Sequence, residues 1–150
     1  MTNGKLEWIG VRPVDRHSIV VLSSVKALAN YGLEGDKSSC KQGGKRQVTI
    51  TCVENIAYLQ VYTTRSELGP SDFRRNLLVS GLNLNNLKDK KFYIGDVLFK
   101  GTGDCTPCKK MNKVFDKGTF RSMNGKGGIT ATILIGGTIS LGDKVKLSYT

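Results

Sequence analysis

Short alternating strands separated by glycine-containing turns most constrain how this sequence can fold. The clearest strand is Arg46–Cys52, in which polar residues alternate with apolar, β-branched ones. Comparable short runs recur with turns about every 8–12 residues, which predicts roughly seven to ten strands and one or two short helices. The sequence therefore predicts a mainly β protein, built as a mostly antiparallel barrel or folded sheet.

The turn residues also predict how individual strands connect. A glycine pair at 136–137 is expected to form a hairpin turn between strands at 130–135 and 138–141. Segment 23–29 fits either a helical turn or a strand, and both readings stay open. Apolar residues at helical spacing predict a short helix beginning at Glu54.

The composition favours an anionic partner. The chain has 150 residues, which suits one domain spanning 1–150, and its formal charge is 23 − 12 = +11. Such a charge suits nucleic acid, a phosphorylated ligand or an acidic protein, but a merely soluble basic surface explains it equally well. Aromatic residues make up only 7% of the chain, so a base-stacking platform is not indicated and nucleic acid is not the expected partner.

The expected location is the cytoplasm, with reduced thiols. The N-terminal stretch lacks the apolar core of a secretory signal, and no run approaches the ~18 apolar residues of a membrane span. The four cysteines are therefore expected to be free rather than paired in disulfides. Cys40 lies in a polar loop and is expected to be an exposed, incidental thiol, whereas Cys52 ends a strand and is expected to be a buried or half-buried core residue.

A Cys-x-x-Cys pair, Cys105 and Cys108, follows a predicted strand, Val97–Lys100, and a predicted loop at 101–104. Lysines directly behind the pair favour the thiolate, which is the form that binds soft metals or attacks electrophiles. Zinc half-sites and thioredoxin-like motifs share this spacing. A zinc ribbon would need a second such pair, and a thioredoxin-like site would need a surrounding βαβ pattern; the sequence has neither.

Arg74, Arg75 and Asn76 precede a predicted strand and form the second candidate site. The arginine side chain carries a fixed fork of donors that suits phosphate or carboxylate, and asparagine can pair with an amide-like edge. The alternative reading is an ordinary solvated turn.

The order of the motifs is more specific than any one of them. The chain carries, in sequence, YGLEGD, RQVTIT, FRRNLLVSGLNLNNL, FYIGDVLFKGTGDCTPCKKM and GKGGITATILIGGTISLGD. This order resembles the MOSC domain family, which is named for the C-terminal domain of molybdenum cofactor sulfurases. The resemblance spans about residues 8–147 and is most specific in FRRNLLVSG and in the segment that contains the cysteine pair.

The resemblance implies a MOSC-type β-barrel with a few short helices and a role with the molybdenum cofactor or with sulfur. It implies that Cys108 ligates molybdenum or carries a persulfide, with Cys105 as a less regular companion. It also implies that Arg74, Arg75 and Asn76 line the site for the cofactor, a phosphorylated pterin whose dithiolene holds the metal.

Two departures from the family pattern limit what the resemblance implies. The stretch after GLEGD commonly bears a histidine in the family, but here it reads Lys37, Ser38, Ser39. The chain is also too short for the pyridoxal-phosphate domain of a sulfurase, so it is expected either to receive sulfur from a donor protein or to act differently.

Three functions therefore remain open. They are a cofactor-binding protein, including a small reductase of N-hydroxylated compounds served by an electron donor; a metal-free persulfide carrier; and an inactive barrel. Neither the substrate nor the oligomeric state is indicated by the sequence.

Overall fold

The computed structural model describes residues 4–14, 18–40, 42–61, 69, 75–105 and 128–148. Eleven strands are present among these residues: β1 Gly4–Val11, β2 Val20–Leu22, β3 Ser24–Leu28, β4 Gly32–Leu33, β5 Val48–Cys52, β6 Leu77–Ser80, β7 Lys91–Ile94, β8 Val97–Asp104, β9 Ile129–Ile135, β10 Gly137–Ser140 and β11 Lys144–Leu147. The helical elements described are α1, Val53–Gln60, and two 3₁₀ helices, Lys37–Cys40 and Leu84–Leu87. The mainly β class predicted from the sequence is confirmed.

Most of the strands form a closed barrel. One sheet has the order β11-β7-β8-β9-β5-β6-β1-β2, and β11 pairs also with β1. This pairing closes seven strands into a barrel and leaves β2 as an extension on β1. The described pairings are antiparallel except that β5 and β6 run parallel. The chain between β5 and β6 contains α1, the α-helix of the described residues, because two parallel strands need a crossover connection.

Two local predictions fail in the second, three-stranded sheet. β10 pairs with β3 rather than with β9, so the hairpin predicted around the glycine pair is wrong. The backbone at Gly136 lies so close to β3 that a Cβ there would be 2.7 Å from the Ala27 carbonyl oxygen. Because glycine has no Cβ, the chain can pass this point and continue from β9 into the second sheet. The open segment 23–29 contains strand β3, Ser24–Leu28, and no helical turn.

β8 is longer than predicted, and the loop expected at 101–104 belongs to the strand. Its pairing with β9 shifts register between Gly101 and Gly103, which marks a bulge. A Cβ at Gly101 would lie 2.1 Å from the Leu87 carbonyl oxygen, so the glycine lets another backbone segment approach the strand.

The barrel interior is filled by the alternate side chains of its strands. Phe92 and Phe99 are fully buried and stack with ring centroids 5.5 Å apart. The helix predicted from Glu54 is α1, and the Glu54 carboxylate accepts a hydrogen bond from the Gly81 amide at 3.0 Å. None of the helices in the described part of the chain is long and apolar enough to cross a membrane.

Candidate functional site

A pocket of about 220 Å³ opens at one end of the barrel. Three segments of chain meet there because β1 ends where the parallel strands β5 and β6 begin. The turn after β4 closes the pocket from the side. The described residues that line it are Gly10, Arg12, Ile19, Asp36, Lys37, Ser38, Arg46, Gln47, Thr49, Arg75 and Asn76.

The side wall of the pocket is built around a buried carboxylate, that of Asp36. Gly35 has a φ of 86°, and the Asp36 amide donates to the Leu33 carbonyl at 3.0 Å, so the glycine makes the tight turn that places Asp36. The carboxylate accepts the Arg12 amide at 2.8 Å and the Ser38 amide at 3.2 Å. It also accepts the Ser38 hydroxyl. Asp36 thereby joins the end of β1 to the turn after β4.

Asn76 holds the same segments together from the start of β6. Its Oδ1 accepts the Thr49 amide at 3.1 Å and the Thr49 hydroxyl at 3.2 Å. Its Nδ2 donates to the Gly10 carbonyl at 3.1 Å and to Asp36 Oδ1 at 3.2 Å. Both acceptor sites and both hydrogens of the amide are therefore engaged within the protein.

Gln47 is engaged in the same way. Its Nε2 donates to Asn30 Oδ1 at 3.2 Å and to the Gly44 carbonyl at 3.1 Å, and its Oε1 accepts the Ile133 amide at 2.9 Å. The amide side chains of Gln47 and Asn76, which line the pocket, are thus already hydrogen-bonded within the protein. The charged side chains of the lining therefore contribute most to what the pocket can bind.

Four cations and one carboxylate line the pocket: Arg12, Lys37, Arg46 and Arg75 against Asp36. Lys37 and Arg46 are exposed, and neither forms an ion pair with any other residue that the structure describes. The excess of positive charge makes the pocket suited to an anion, with the guanidinium groups able to bind phosphate or carboxylate oxygens in pairs.

Arg75 connects the pocket to the cysteine segment. Its side chain is only 2% exposed, and its Nη2 donates to the Cys105 carbonyl at 3.3 Å. The Cys105 amide in turn donates to the Gly128 carbonyl at 2.9 Å, which fixes the end of β8 against the start of β9. One buried guanidinium group thus borders both the pocket and the backbone that leads to Cys108.

Of the other predicted site residues, only Cys105 lies within the part of the chain that the structure describes. Cys105 is buried, at 2% exposure, while Arg74 and Cys108 lie outside the described residues. Cys40 is exposed and Cys52 is buried, as predicted. Burial is the main cause that raises the pKa of the Cys52 thiol above its ordinary value, and amide hydrogen bonds from the following turn only partly offset it.

Sequence reasoning did not identify Arg12, Asp36 and Arg46 as members of the site. Their signals are the ends of predicted elements: Arg12 ends a first strand predicted at 8–12, Asp36 closes the glycine-rich YGLEGD turn, and Arg46 opens the clearest strand. No group of three or more His, Cys, Asp or Glu residues within the described ranges is placed to hold a metal ion.

The chain belongs to the MOSC domain family, whose model matches residues 37–146. The matched span includes the wall residues that follow Asp36, the arginine segment and both cysteines of the pair. The fold is therefore the one that the order of motifs implied.

Solved structures show the same fold at low sequence identity. The YuaD protein from Bacillus subtilis has a TM-score of 0.81 at 18% identity, with 99% of this chain and 97% of that chain covered. YiiM from Escherichia coli has a TM-score of 0.72 at 21% identity, with 97% and 70% covered. A search of curated proteins found no match.

Proposed function

We propose that the pocket binds the molybdenum cofactor through its phosphorylated pterin and that Cys108 supplies a thiolate to the metal. The observation that carries this proposal is the position of Arg75, which lines the cationic pocket and donates to the Cys105 carbonyl. The phosphate site and the thiol would then lie at two ends of one continuous surface.

The chemistry of the lining fits the phosphate group. Arg12, Lys37, Arg46 and Arg75 offer charge-assisted hydrogen bonds, which are shorter and stronger than neutral ones. The negative charge of Asp36 repels a bound anion only in part, because backbone and side-chain groups already donate hydrogen bonds to its carboxylate oxygens. Asn76 acts through these contacts and positions the wall of the pocket.

The pocket is smaller than a whole cofactor site. Its volume of about 220 Å³ is below the ~300–1,000 Å³ that is usual for ligand sites. We therefore expect it to hold the phosphate and the adjoining part of the pterin, while the dithiolene end extends toward the cysteine segment.

Chain connectivity supports this arrangement. Cys108 is three residues beyond Cys105 in the sequence, so covalent geometry keeps the two Cα atoms within about 11 Å of each other. Cys105 itself is buried and its backbone is held at both polar groups, so Cys108 is the thiol of the pair that we assign to the metal. A metal carried by a dithiolene needs one protein thiolate rather than a cluster of ligands; when bound, it would supply oxygen-atom and electron transfer.

The test is to measure molybdenum and extractable pterin in protein made in a molybdenum-replete host. We expect near-stoichiometric amounts of both in the wild type. Cys108→Ser should lose molybdenum but retain pterin, because the phosphate site remains. The matched control is Cys40→Ser, which removes an exposed thiol outside the pocket lining and should change neither amount. Wild-type protein with neither molybdenum nor pterin would refute the proposal.

A persulfide carrier is the second candidate, and it is favoured by the burial of Cys105, which leaves Cys108 as the thiol of the pair to which we assign the sulfur. A single thiolate that attacks the outer sulfur of a persulfide donor releases the donor's thiolate and takes up sulfane sulfur without closing a disulfide. Incubation with a persulfide donor should then add one sulfur atom to the intact mass. The adduct should persist in Cys105→Ser and disappear in Cys108→Ser; an adduct that persists in Cys108→Ser contradicts this function.

A further inference from the structure

The outer face of the barrel carries a row of side chains that crosses four neighbouring strands. Lys146 on β11 lies opposite Tyr93 on β7, Tyr93 lies opposite Leu98 on β8, and Leu98 lies opposite Ile135 on β9. Directly opposite residues share one face of a sheet, so these four side chains form a continuous line on the outer wall.

The centre of this row is apolar and reaches solvent. Tyr93 and Leu98 are partly exposed, and Ile135 is 52% exposed. The register shift next to Leu98 leaves Leu134 outside the barrel as well, at 42% exposure. Contiguous exposed apolar side chains on a folded domain commonly mark an interaction site, especially when polar groups surround them.

Lysines on β7, β8 and β11 flank the apolar part of the row. Lys91, Lys100, Lys144 and Lys146 are all exposed, and none of them forms an ion pair with a residue that the structure describes. Lys91 lies directly opposite Lys100, an arrangement in which two like charges oppose pairing of the strands. Because this repulsion disfavours the fold, the Lys91–Lys100 pair is better explained by an acidic ligand that relieves the repulsion than by a contribution to stability.

We propose that this lysine-flanked face, which comprises Tyr93, Leu98, Leu134, Ile135 and the four lysines, docks an acidic surface of a partner protein. An apolar centre with a charged rim is the usual composition of a protein interface. Four strands span on the order of 14 Å, which suits a small, transient contact.

Other occupants fit the face less well. Nucleic acid would bind the lysines through phosphate, but it gives the apolar centre no role, since Tyr93 is only partly exposed and the remaining centre is aliphatic. A second copy of this chain would place two lysine rims against each other, which is electrostatically unfavourable. An acidic protein segment with interleaved apolar residues satisfies both the rim and the centre.

The test uses a short synthetic peptide of alternating glutamate and leucine, titrated into the full chain and followed by backbone amide NMR. We expect shifts concentrated in β7, β8 and β9 around the row. Lys91→Glu should weaken binding about tenfold. The same change replaces a like-charge pair with an attractive one, so the urea midpoint should rise while binding falls. Ile135→Ser should weaken binding through loss of the apolar contact.

The matched control is Lys26→Glu, an equal change of charge at an exposed lysine on β3 in the second sheet, which should leave binding unchanged. Equal weakening by Lys26→Glu would show that only net charge matters and would overturn the proposal. It would also be overturned by equal binding of polyglutamate, by tighter binding of a single-stranded oligonucleotide to this face, or by the same shifts on concentrating the protein alone.

Discussion

Replacing Asn76 with alanine should destabilise the protein by about 3 kcal/mol, because the amide joins three parts of the chain at the pocket. The side chain serves the Thr49 amide, the Gly10 carbonyl and the Asp36 carboxylate. Alanine leaves two backbone groups without this partner, at about 1–3 kcal/mol for each buried orphan, while Asp36 keeps its other donors.

Urea unfolding measured by circular dichroism tests this value. A domain stable by about 5–15 kcal/mol stays folded after such a loss, so the midpoint should fall while the slope stays constant. The control is Asn86→Ala, which alters an exposed asparagine of the second 3₁₀ helix and should change stability by less than about 0.5 kcal/mol. A loss at Asn76 no greater than that of the control would refute the role assigned to its hydrogen bonds.

Two further predictions concern thiols and glycines. Alkylation at pH 8 should modify Cys40, whereas the buried Cys52 should stay protected. Burial raises the pKa of the Cys52 thiol, so the unfolded chain loses this proton at a lower pH than the folded protein does. The stability difference between wild type and Cys52→Ala should therefore shrink as pH rises above about 8.5, and a difference independent of pH would contradict this. Gly101→Ala should destabilise the fold by several kcal/mol, since its Cβ would lie 2.1 Å from the Leu87 carbonyl oxygen. The control, Gly43→Ala, should cost only about 1 kcal/mol from its positive φ, because its Cβ would meet no atom within 4 Å. Similar thermal melts for the two variants would contradict the close approach at Gly101.

The strands that the sequence predicted best are those specified by local alternation. Arg46–Cys52 alternates strongly, and β5 occupies Val48–Cys52. The partner of β10 was predicted wrongly because pairing there depends on a non-local contact, the close passage of Gly136 over Ala27. Periodicity within a segment does not encode which distant strand will pair with it.

The site was predicted in part for a similar reason. Arg75 stood out because it belongs to an arginine-rich turn beside a strand, and the structure places it in a charged pocket. Asp36 and Arg12 did not stand out, since their meeting depends on barrel closure and on hydrogen bonds between segments far apart in sequence. The roles of Arg74, Arg75, Asn76, Cys105 and Cys108 toward a cofactor stay predictions.

The most direct test of the proposed phosphate site compares two neighbouring cations. Arg46 lines the pocket, whereas Lys45 is exposed and does not line it. Extractable pterin should be lost from protein made as Arg46→Glu and retained at the wild-type level in Lys45→Glu. Equal pterin content in the two variants would contradict the assignment of this pocket to the cofactor.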